Sequence, residues 1–553
     1  MISQIKIRDF KKVKDATLIL DAINVLVGGN NSGKSCFLQG IHFGISLAQA
    51  RKVAGSDQFS PEQLRYCPTD SFLDLRRGSR LTENSQIAFT YEQNQSDLKE
   101  TASINLHRGR NGVVRATMTG TQIFLDKIAN PKGYFSIFVP GLAGISIREE
   151  YRSDSVVNNG IARGDANLYL RNVLLRISLD QARQKKFQKY LSDIFPDCSV
   201  NTTFDHANDL WIKSAVNQKS TSGLSLDMAG TGLLQTIQLL AYVINYSPKL
   251  LLLDEPDAHL HPSNQRLLAK TLCLIAAETG TKIVLATHSR HLLDALSEQN
   301  STALYWIKNG EAERQENWSD VAILMDLGAL DSGEKLLAGQ YKYLIWTEDS
   351  DIEGLKILLE ANGYSLAECY IFSYATSSKI DAASMLARFA QEIRPGVKTI
   401  IHRDRDFMTD DEISRLKAKF QLPTQMNAGL FITRESDIES YFVSAEHLSN
   451  ALNWQIADCI SLLNSILVQN NLNFAVEFRD KREEIKHLLY KRDPQNCPAT
   501  SSILSGEQIS IEKVKGKSIQ KILFDRLSSQ GFQPNVIYRN SPALVDPELQ
   551  SLK

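Results

Sequence analysis

The amino-acid sequence predicts an α/β protein in which buried strands alternate with helices in two separate blocks. One observation is a set of short apolar runs, such as Leu250–Leu253, which are typical of strands buried on both faces inside a parallel sheet. A second is that a helical pattern follows, at 262–278, before another strand is expected at 282–287. This order is typical of strand–helix–strand units around a parallel sheet.

The same patterns divide the chain into five regions. One α/β block occupies residues 1–50 and resumes at 224–335, and the mixed patterns of 51–223 are interpreted as an insertion or arm between its two parts. A second α/β block covers 340–445, and charged helical patterns predict a helical C-terminal region over 446–553. A chain of 553 residues has room for roughly three or four domains.

Composition narrows the class of protein. The 62 Lys and Arg residues nearly balance 63 Asp and Glu residues, so any surface that binds nucleic acid must be local. Seven cysteines without a CxxC pair or zinc spacing favour a reducing compartment. The N-terminus has no signal-peptide pattern and no apolar run is long enough to cross a bilayer, so we expect a cytoplasmic protein without a membrane partner.

The most specific motif is a glycine-rich loop between a strand expected at 23–27 and a helix. Its residues fit the pattern G-x-x-x-x-G-K-[ST] and are Gly28, Gly29, Asn30, Asn31, Ser32, Gly33, Lys34 and Ser35. In this pattern backbone N–H groups surround the phosphates of ATP, the lysine neutralises their charge and the serine hydroxyl binds Mg²⁺. A chance match is the alternative, which the flanking strand and helix disfavour.

A second motif follows the four leucines. Asp254 is predicted to complete the Mg²⁺ shell, and Glu255, one residue on, to orient and deprotonate the attacking water. The alternative is an acidic cap on the next helix, which does not explain the apolar strand before the pair.

These motifs carry a family resemblance. The N-terminal I-x-I-x-x-F strand, the loop at 28–35, the segment LLLLDEPDAHLHP and the ATHS strand resemble the SMC/RecF/OLD branch of ABC ATPases over roughly 1–335. The resemblance implies an ABC-type ATPase head that forms a homodimer, or a larger even-numbered assembly, around ATP. It also implies that His288 contacts the γ-phosphate, and that Gly230, Thr231 and Gly232 act as a degenerate signature loop for the opposite subunit. A purely structural histidine and a plain helix-cap loop are the alternatives.

Acidic residues also follow two strands of the second block. Glu348 ends the strand expected at 343–347, and Asp404 and Asp406 end the next, so their carboxylates could share Mg²⁺ or Mn²⁺. This pattern looks like a TOPRIM domain, in which Glu439 would belong to a further acidic segment. The sequence departs from the family pattern because Asp349 stands where a glycine is usual. Solvated turn residues are the alternative.

An ABC head followed by a TOPRIM-like block resembles two kinds of protein. One is the ATPase subunit of Septu and retron-associated antiphage defence, which controls a partner HNH-type nuclease and, in retron systems, joins a reverse transcriptase with its DNA or RNA product. The other is a stand-alone OLD-family nuclease that uses its own TOPRIM site. The replacement of the usual glycine after Glu348 by Asp349 favours the first kind. Nucleic acid is an expected partner of both kinds. A RecF-type repair ATPase is a third, less favoured hypothesis.

Overall fold

The structure is a computed structural model that describes residues 2–95, 98–141, 144–219, 221–316, 318, 341–374, 387, 391, 396–419, 427–490, 496–503 and 509–553. The chain divides into two compact units, Met1–Asp331 and Ser332–Lys553. The predicted boundary near 335–340 lies outside the described residues.

The first unit contains fifteen strands and eight α-helices among its described residues. The strands are β1 (Ile2–Phe10), β2 (Val13–Ile19), β3 (Ile23–Val27), β4 (Gln58–Phe59), β5 (Ile87–Gln95), β6 (Leu98–Arg108), β7 (Val114–Gly120), β8 (Ser136–Val139), β9 (Ser199–Thr203), β10 (Lys213–Gln218), β11 (Thr221–Ser225), β12 (Leu250–Asp254), β13 (Lys282–Ala286), β14 (Thr302–Lys308) and β15 (Glu311–Gln315). The helices are α1 (Lys34–Ala54), α2 (Gln122–Ile128), α3 (Asp154–Ala162), α4 (Leu170–Ser178), α5 (Gln181–Ile194), α6 (Thr231–Tyr246), α7 (Pro262–Thr279) and α8 (Arg290–Ser297).

A six-stranded sheet forms the centre of this unit, in the order β15-β14-β3-β13-β12-β8. All neighbouring strands in it are parallel except the antiparallel pair of β14 and β15. The carboxyl ends of β3, β12 and β13 therefore meet at one edge, where ligands bind in open parallel sheets. The predicted strands and helices at 23–27, 262–278 and 282–287 are all present, with bounds that differ by at most a residue.

The region 51–223 contributes to both large sheets of the unit. Its strands β5, β6, β7 and β4 extend β1 and β2 into an antiparallel sheet, and β8 pairs in parallel with β12 in the central sheet. Three more of its strands form a small antiparallel sheet in the order β11-β10-β9. The division into a head and an inserted arm stays a prediction, but part of the predicted arm belongs to the central sheet.

Helix α1 contacts strands of both large sheets and is apolar on most of its surface. Two of its glycines allow this close packing: a Cβ at Gly40 would lie 3.0 Å from the Phe10 ring, and one at Gly44 would lie 2.7 Å from Phe89 Cγ. Because both sheets hold α1, the loop before it is fixed on a rigid element.

The second unit contains four described strands, β16 (Tyr343–Thr347), β17 (Cys369–Ser373), β18 (Lys398–Arg403) and β19 (Ala428–Ile432). Its described α-helices are α9 (Glu353–Ala361), α10 (Asp410–Lys419), α11 (Glu439–Phe442), α12 (Ala445–Leu452), α13 (Ile456–Leu489), α14 (Thr500–Ile503), α15 (Gly516–Ser529) and α16 (Pro547–Ser551). The strands form one parallel sheet in the order β17-β16-β18-β19.

The C-terminal helices share one hydrophobic core with this sheet. Ile345 and Ile400 on the strands belong to the same buried cluster as Leu463 on α13, Leu523 on α15 and Leu549 on α16. The regions 340–445 and 446–553 therefore pack as one unit. The α/β fold class, with a parallel-sheet domain and C-terminal helices, is confirmed.

Two general features complete the description. In the part of the chain that the structure describes, no helix combines the length and the apolar composition that crossing a bilayer requires. The seven cysteines are free thiols in the structure.

Candidate functional site

The loop of residues 28–35 joins the end of β3 to the N-terminus of α1. Lys34 is almost completely buried, and its Nζ donates hydrogen bonds to the carbonyl oxygens of Gly28 at 2.9 Å and Gly29 at 3.0 Å. Gly33 is the N-cap of α1, with φ of 108°, and no side chain caps the helix. The first N–H groups of α1 therefore point into the loop, an arrangement that binds phosphate.

The interior of the loop fits a phosphate group. A Cβ at position 28 would lie 2.6 Å from the carbonyl oxygen of Ile307 and 2.7 Å from Ser32 Oγ, so only glycine fits at this position. Ser32 Oγ is buried without a hydrogen-bond partner among the described residues. A buried unpaired hydroxyl is costly, and a phosphate oxygen at this position would pair with it.

The two predicted Mg²⁺ ligands of the first unit are in contact. Ser35 Oγ donates a 3.0 Å hydrogen bond to Asp254 Oδ1, although the two residues are 219 positions apart. Burial raises the pKa of Asp254, and the hydrogen bond from Ser35 and the charge of Lys34 act against this. A hydroxyl and a carboxylate beside an uncapped helix N-terminus are the donor set that Mg²⁺–ATP uses in P-loop proteins.

Glu255 and His288 lie together just beyond this contact. The φ of Glu255 is 50°, and its N–H donates to the carbonyl oxygen of Ala286 at 2.9 Å, so the chain turns sharply after β12. His288 Nε2 lies 3.7 Å from Glu255 Oε1. The two side chains are 35% and 51% exposed, so both remain open to solvent at the edge of the site.

The loop predicted to act on an opposite subunit begins α6. Gly232 is buried, and a Cβ there would lie 2.7 Å from the carbonyl oxygen of His259, so this glycine has a structural role. Gly230 and Thr231 are exposed, and a Cβ at Gly230 would meet open space. Gln235, one turn into α6, donates a 2.6 Å hydrogen bond to the carbonyl oxygen of Glu255. The start of α6 is thus tied to the segment after β12.

A buried polar network that the sequence did not reveal supports this loop. Arg171 on α4 is almost fully buried, donates to Asp227 Oδ1 at 2.8 Å and also donates to the carbonyl oxygen of Ser146. Glu149 accepts 2.8 Å hydrogen bonds from the backbone N–H groups of Arg171 and Asn172. Burial raises the pKa of Glu149, and these hydrogen bonds oppose the shift. Because Asp227 lies three residues before Gly230, the network fixes the approach to the loop.

The second unit holds a separate group of acidic residues at the carboxyl ends of β16 and β18. Glu348 Oε1 accepts a 2.5 Å hydrogen bond from the N–H of Asp404. Burial and the neighbouring charges of Asp404 and Asp406 raise the pKa of Glu348 to about 8. The pKa of Asp404 is also raised, first by burial and then by nearby carboxylates. The structure thus places these three predicted residues at one sheet edge.

Two members of the predicted set have lysine partners. Lys481 Nζ on α13 lies 3.3 Å from Asp406 Oδ1, and Lys517 Nζ on α15 lies 3.3 Å from Glu439 Oε1. The adjacent Asp437 accepts hydrogen bonds from the N–H groups of Gly516 at 2.9 Å and Lys517 at 3.2 Å. Asp437 therefore caps α15.

Two further residues at this edge were not predicted as ligands. One donor atom each from Asp349, His402 and Asp404 lie within 4.8 Å of one another. His402 is the last residue but one of β18, its side chain is fully buried, and burial lowers its pKa. The only sequence signal for Asp349 was its replacement of the expected glycine.

The first unit is similar to a known family of ATPase domains. A family model described as an AAA ATPase domain matches residues 1–74 and 169–293. The matched residues include the loop at 28–35, Asp254 and Glu255. The first unit is therefore similar to an ATPase domain over the residues that form the loop at 28–35 and the end of β12.

The chain is similar to the Old nuclease of Escherichia phage P2, with 22% identity over 484 residues that cover 74% of this chain and 78% of that protein. It is also similar to an Smc head solved with the C-winged helix domain of ScpA, with 14% identity and a TM-score of 0.40, covering 57% of this chain and 96% of that one. The SMC head domain from Thermotoga maritima gives 14% identity and a TM-score of 0.34, covering 57% of this chain and 98% of that chain. Both TM-scores are low. The fold of the first unit is therefore defined by the strand order of its central sheet and by the geometry of the loop at 28–35.

Proposed function

We propose that this protein is an ATP-hydrolysing switch that closes as a homodimer around ATP and thereby controls nuclease chemistry at the acidic sheet edge of its own second unit. The observation that carries the proposal is the contact between Ser35 and Asp254 beside the buried Lys34, at the uncapped N-terminus of α1. The hydrogen bonds at this position match the requirements of a triphosphate and its Mg²⁺.

Each residue of the nucleotide site has a distinct role in this proposal. The N–H groups of the loop and Lys34 bind the phosphates, while Ser35 and Asp254 hold Mg²⁺, which supplies charge neutralisation on the γ-phosphate. Glu255 takes the proton of the attacking water, because its carboxylate follows the Mg²⁺ ligand Asp254 by one residue and is open to solvent. His288 lies beside it and contacts the γ-phosphate.

Dimerisation is supported by the exposure of residues around the site. Glu255 and His288 are partly open to solvent, as are Gly230 and Thr231 at the N-terminus of α6. A helix N-terminus with exposed N–H groups is suited to a phosphate, and a second copy can present it to the open side of the loop. ATP would then join two chains, and its hydrolysis would release them.

The nuclease part of the proposal is supported by the second unit. Glu348 and Asp404 follow adjacent parallel strands, are half-buried and in contact, and have raised pKa values. Buried carboxylates need a counter-charge, and oxygen ligands at a sheet edge are suited to a divalent cation that stabilises a phosphodiester transition state. The similarity to the phage P2 Old nuclease covers enough of the chain to reach into both units.

A nuclease assay tests this part directly. The purified chain is incubated with single- and double-stranded DNA and RNA in Mg²⁺ or Mn²⁺, with and without ATP. We expect cutting that is abolished by Asp404→Ala and retained by Asp411→Ala, since Asp411 is an exposed acidic residue on the first turn of α10. Cutting that survives Asp404→Ala contradicts the assignment of the site.

A second candidate function is control of a separate HNH-type nuclease, as in Septu and retron-associated systems. The ion pairs of Lys481 with Asp406 and of Lys517 with Glu439 favour this second function, because these lysines neutralise carboxylates that would otherwise be available to bind a metal. On this alternative the lone chain hydrolyses ATP without cutting nucleic acid. Cutting would appear only after a nuclease subunit, or a reverse transcriptase complex, is added.

A further inference from the structure

Three donor atoms converge at the carboxyl edge of the second sheet. Asp349 follows β16, His402 lies at the end of β18 and Asp404 follows it, and one donor atom of each lies within 4.8 Å of the other two. His402 Nε2 is 3.5 Å from Asp404 Oδ1, and His402 Nδ1 is 3.8 Å from Asp349 Oδ2. Both separations are longer than good hydrogen bonds, and the one between His402 Nε2 and Asp404 Oδ1 leaves room for a ligand that the two atoms share.

Three side-chain atoms of this cluster have no hydrogen-bond partners among the described residues. Asp349 Oδ2, His402 Nε2 and Asp404 Oδ1 are each buried and unpaired, and the His402 side chain is completely inaccessible. Each such atom costs free energy unless something satisfies it, and two facing carboxylates add repulsion. The nearby lysines, Lys481 and Lys517, form ion pairs with other carboxylates.

The orientation of the imidazole is fixed by a neighbouring hydroxyl. His402 Nδ1 lies 2.8 Å from Thr347 Oγ1, which also accepts a 3.1 Å hydrogen bond from the N–H of Asp349. With the hydroxyl accepting from Nδ1–H, the lone pair of the ring lies on Nε2, toward Asp404. A hydrogen bond to the second ring nitrogen is the usual support of a metal-binding histidine.

We propose that Asp349, His402 and Asp404 bind a first-row transition-metal ion, such as Mn²⁺ or Zn²⁺, in preference to Mg²⁺. Imidazole nitrogen is a good ligand for transition metals, whereas Mg²⁺ takes oxygen ligands and keeps several waters. A divalent ion also supplies the positive charge that the two carboxylates lack. The inference rests on the proposed metal site of the second unit, and it adds a nitrogen ligand that sets which metal the site selects.

Metal binding to the full chain without nucleotide tests this inference. The P-loop takes its metal together with phosphates, so omitting nucleotide leaves the second unit as the site under test. Mn²⁺ binding is followed by the electron paramagnetic resonance signal of the free ion, with Mg²⁺ as competitor. We expect one Mn²⁺ per chain that an equal concentration of Mg²⁺ does not displace.

Variants identify the ligands. His402→Asn should lose the preference for Mn²⁺ over Mg²⁺, because it removes the nitrogen ligand. Asp349→Asn, which removes a carboxylate ligand, and Thr347→Val, which removes the support of the ring, should each weaken Mn²⁺ binding by about tenfold or more. Asp351→Asn is the matched control, because Asp351 is an exposed carboxylate two residues from Asp349 and should leave binding unchanged. The visible absorption of bound Co²⁺ gives a second readout, which changes when the nitrogen ligand is removed.

Replacing a fully buried histidine can unfold the unit, so the fold of each variant is first compared with that of the wild type by circular dichroism. If His402→Asn fails to fold, Asp349→Asn provides the test, because Asp349 is at a partly accessible position. Displacement of Mn²⁺ from the wild type by an equal concentration of Mg²⁺ overturns the inference, as does an unchanged preference in folded His402→Asn or an unchanged Mn²⁺ affinity in folded Asp349→Asn. Selective Mn²⁺ binding without any cutting supports the inference and removes the nuclease proposal. Cutting with Mg²⁺ that Asp349→Asn does not affect overturns the inference and supports the nuclease proposal.

Discussion

Replacing Glu412 by glutamine tests whether a buried ion pair anchors the loop that carries Asp404 and Asp406. Arg482 on α13 binds Glu412 on α10 with two hydrogen bonds, Nη1 to Oε2 at 2.6 Å and Nη2 to Oε1 at 2.9 Å. The side chains are 1% and 0% exposed. Arg482 Nη1 also donates to the carbonyl oxygen of Phe407 at 3.2 Å, so the pair holds the loop directly.

The variant leaves the guanidinium buried without its counter-charge. Removing one partner of a buried pair costs about 3–5 kcal/mol, whereas exposed pairs contribute about 0–1 kcal/mol. We therefore expect hydrogen exchange in 404–412 and 478–486 to accelerate by roughly 10²- to 10³-fold, because each 1.4 kcal/mol corresponds to tenfold. Amide exchange measured by mass spectrometry reads this segment separately from the first unit.

The matched control is Glu548→Gln, which removes an exposed ion pair with Lys417 on the same helix as Glu412 and should change exchange by less than about tenfold. The double variant of Glu412→Gln with Arg482→Met should lose less stability than the two single changes added together, because no charge remains buried. An effect of Glu412→Gln no larger than that of the control would refute the anchoring role.

The same pair predicts a response to acid. Burial alone would raise the pKa of Glu412, but the bonds from Arg482 and from the N–H of Thr409 outweigh it, so the pKa lies below the usual value. The stabilisation is present above the pKa of an unfolded glutamate and is lost as the pH falls through the lower pKa of the folded state. Wild type and Glu412→Gln should therefore converge in stability as the solution becomes strongly acidic.

Three further predictions concern the first unit. Glu255→Gln should slow ATP hydrolysis by on the order of 10²- to 10⁴-fold while ATP still binds. ATP-bound dimers should therefore accumulate and be seen by size-exclusion chromatography, whereas monomers alone would contradict the proposed switch. Arg171→Gln should weaken ATP-dependent dimerisation, because Arg171 holds Asp227 just before the exposed start of α6, and it should leave the nucleotide affinity measured by calorimetry nearly unchanged. Arg183→Gln, which changes an exposed arginine, serves as the control. Burial raises the pKa of Asp257 to about 6, so the wild type should lose stability as the pH rises through 6. Asp257→Asn should remove this loss and be more stable at pH 8 by up to about 3 kcal/mol in thermal unfolding, with equal stability near pH 4.

Much of the nucleotide site could be predicted because its parts are local. A loop with the spacing of 28–35 has one physical use, and a buried strand that ends in Asp254 and Glu255 must deliver both carboxylates to the carboxyl edge of the sheet. Gly232 shows the limit of such inference. The sequence predicts a phosphate contact for Gly232, and this stays a prediction. The structure adds a packing role against His259, which only the close approach of two segments could show.

Local patterns in the sequence indicate the α/β class of fold, the succession of strands and helices along the chain and the position of the glycine-rich loop, because apolar runs and glycine spacing act over a few residues. Only the tertiary structure decided that β8 joins the central sheet, that the C-terminal helices share the core of the second sheet, and that His402 faces Asp349 and Asp404. These outcomes depend on strand order and side-chain burial. Both are set by packing between residues far apart in the chain, which no local pattern encodes.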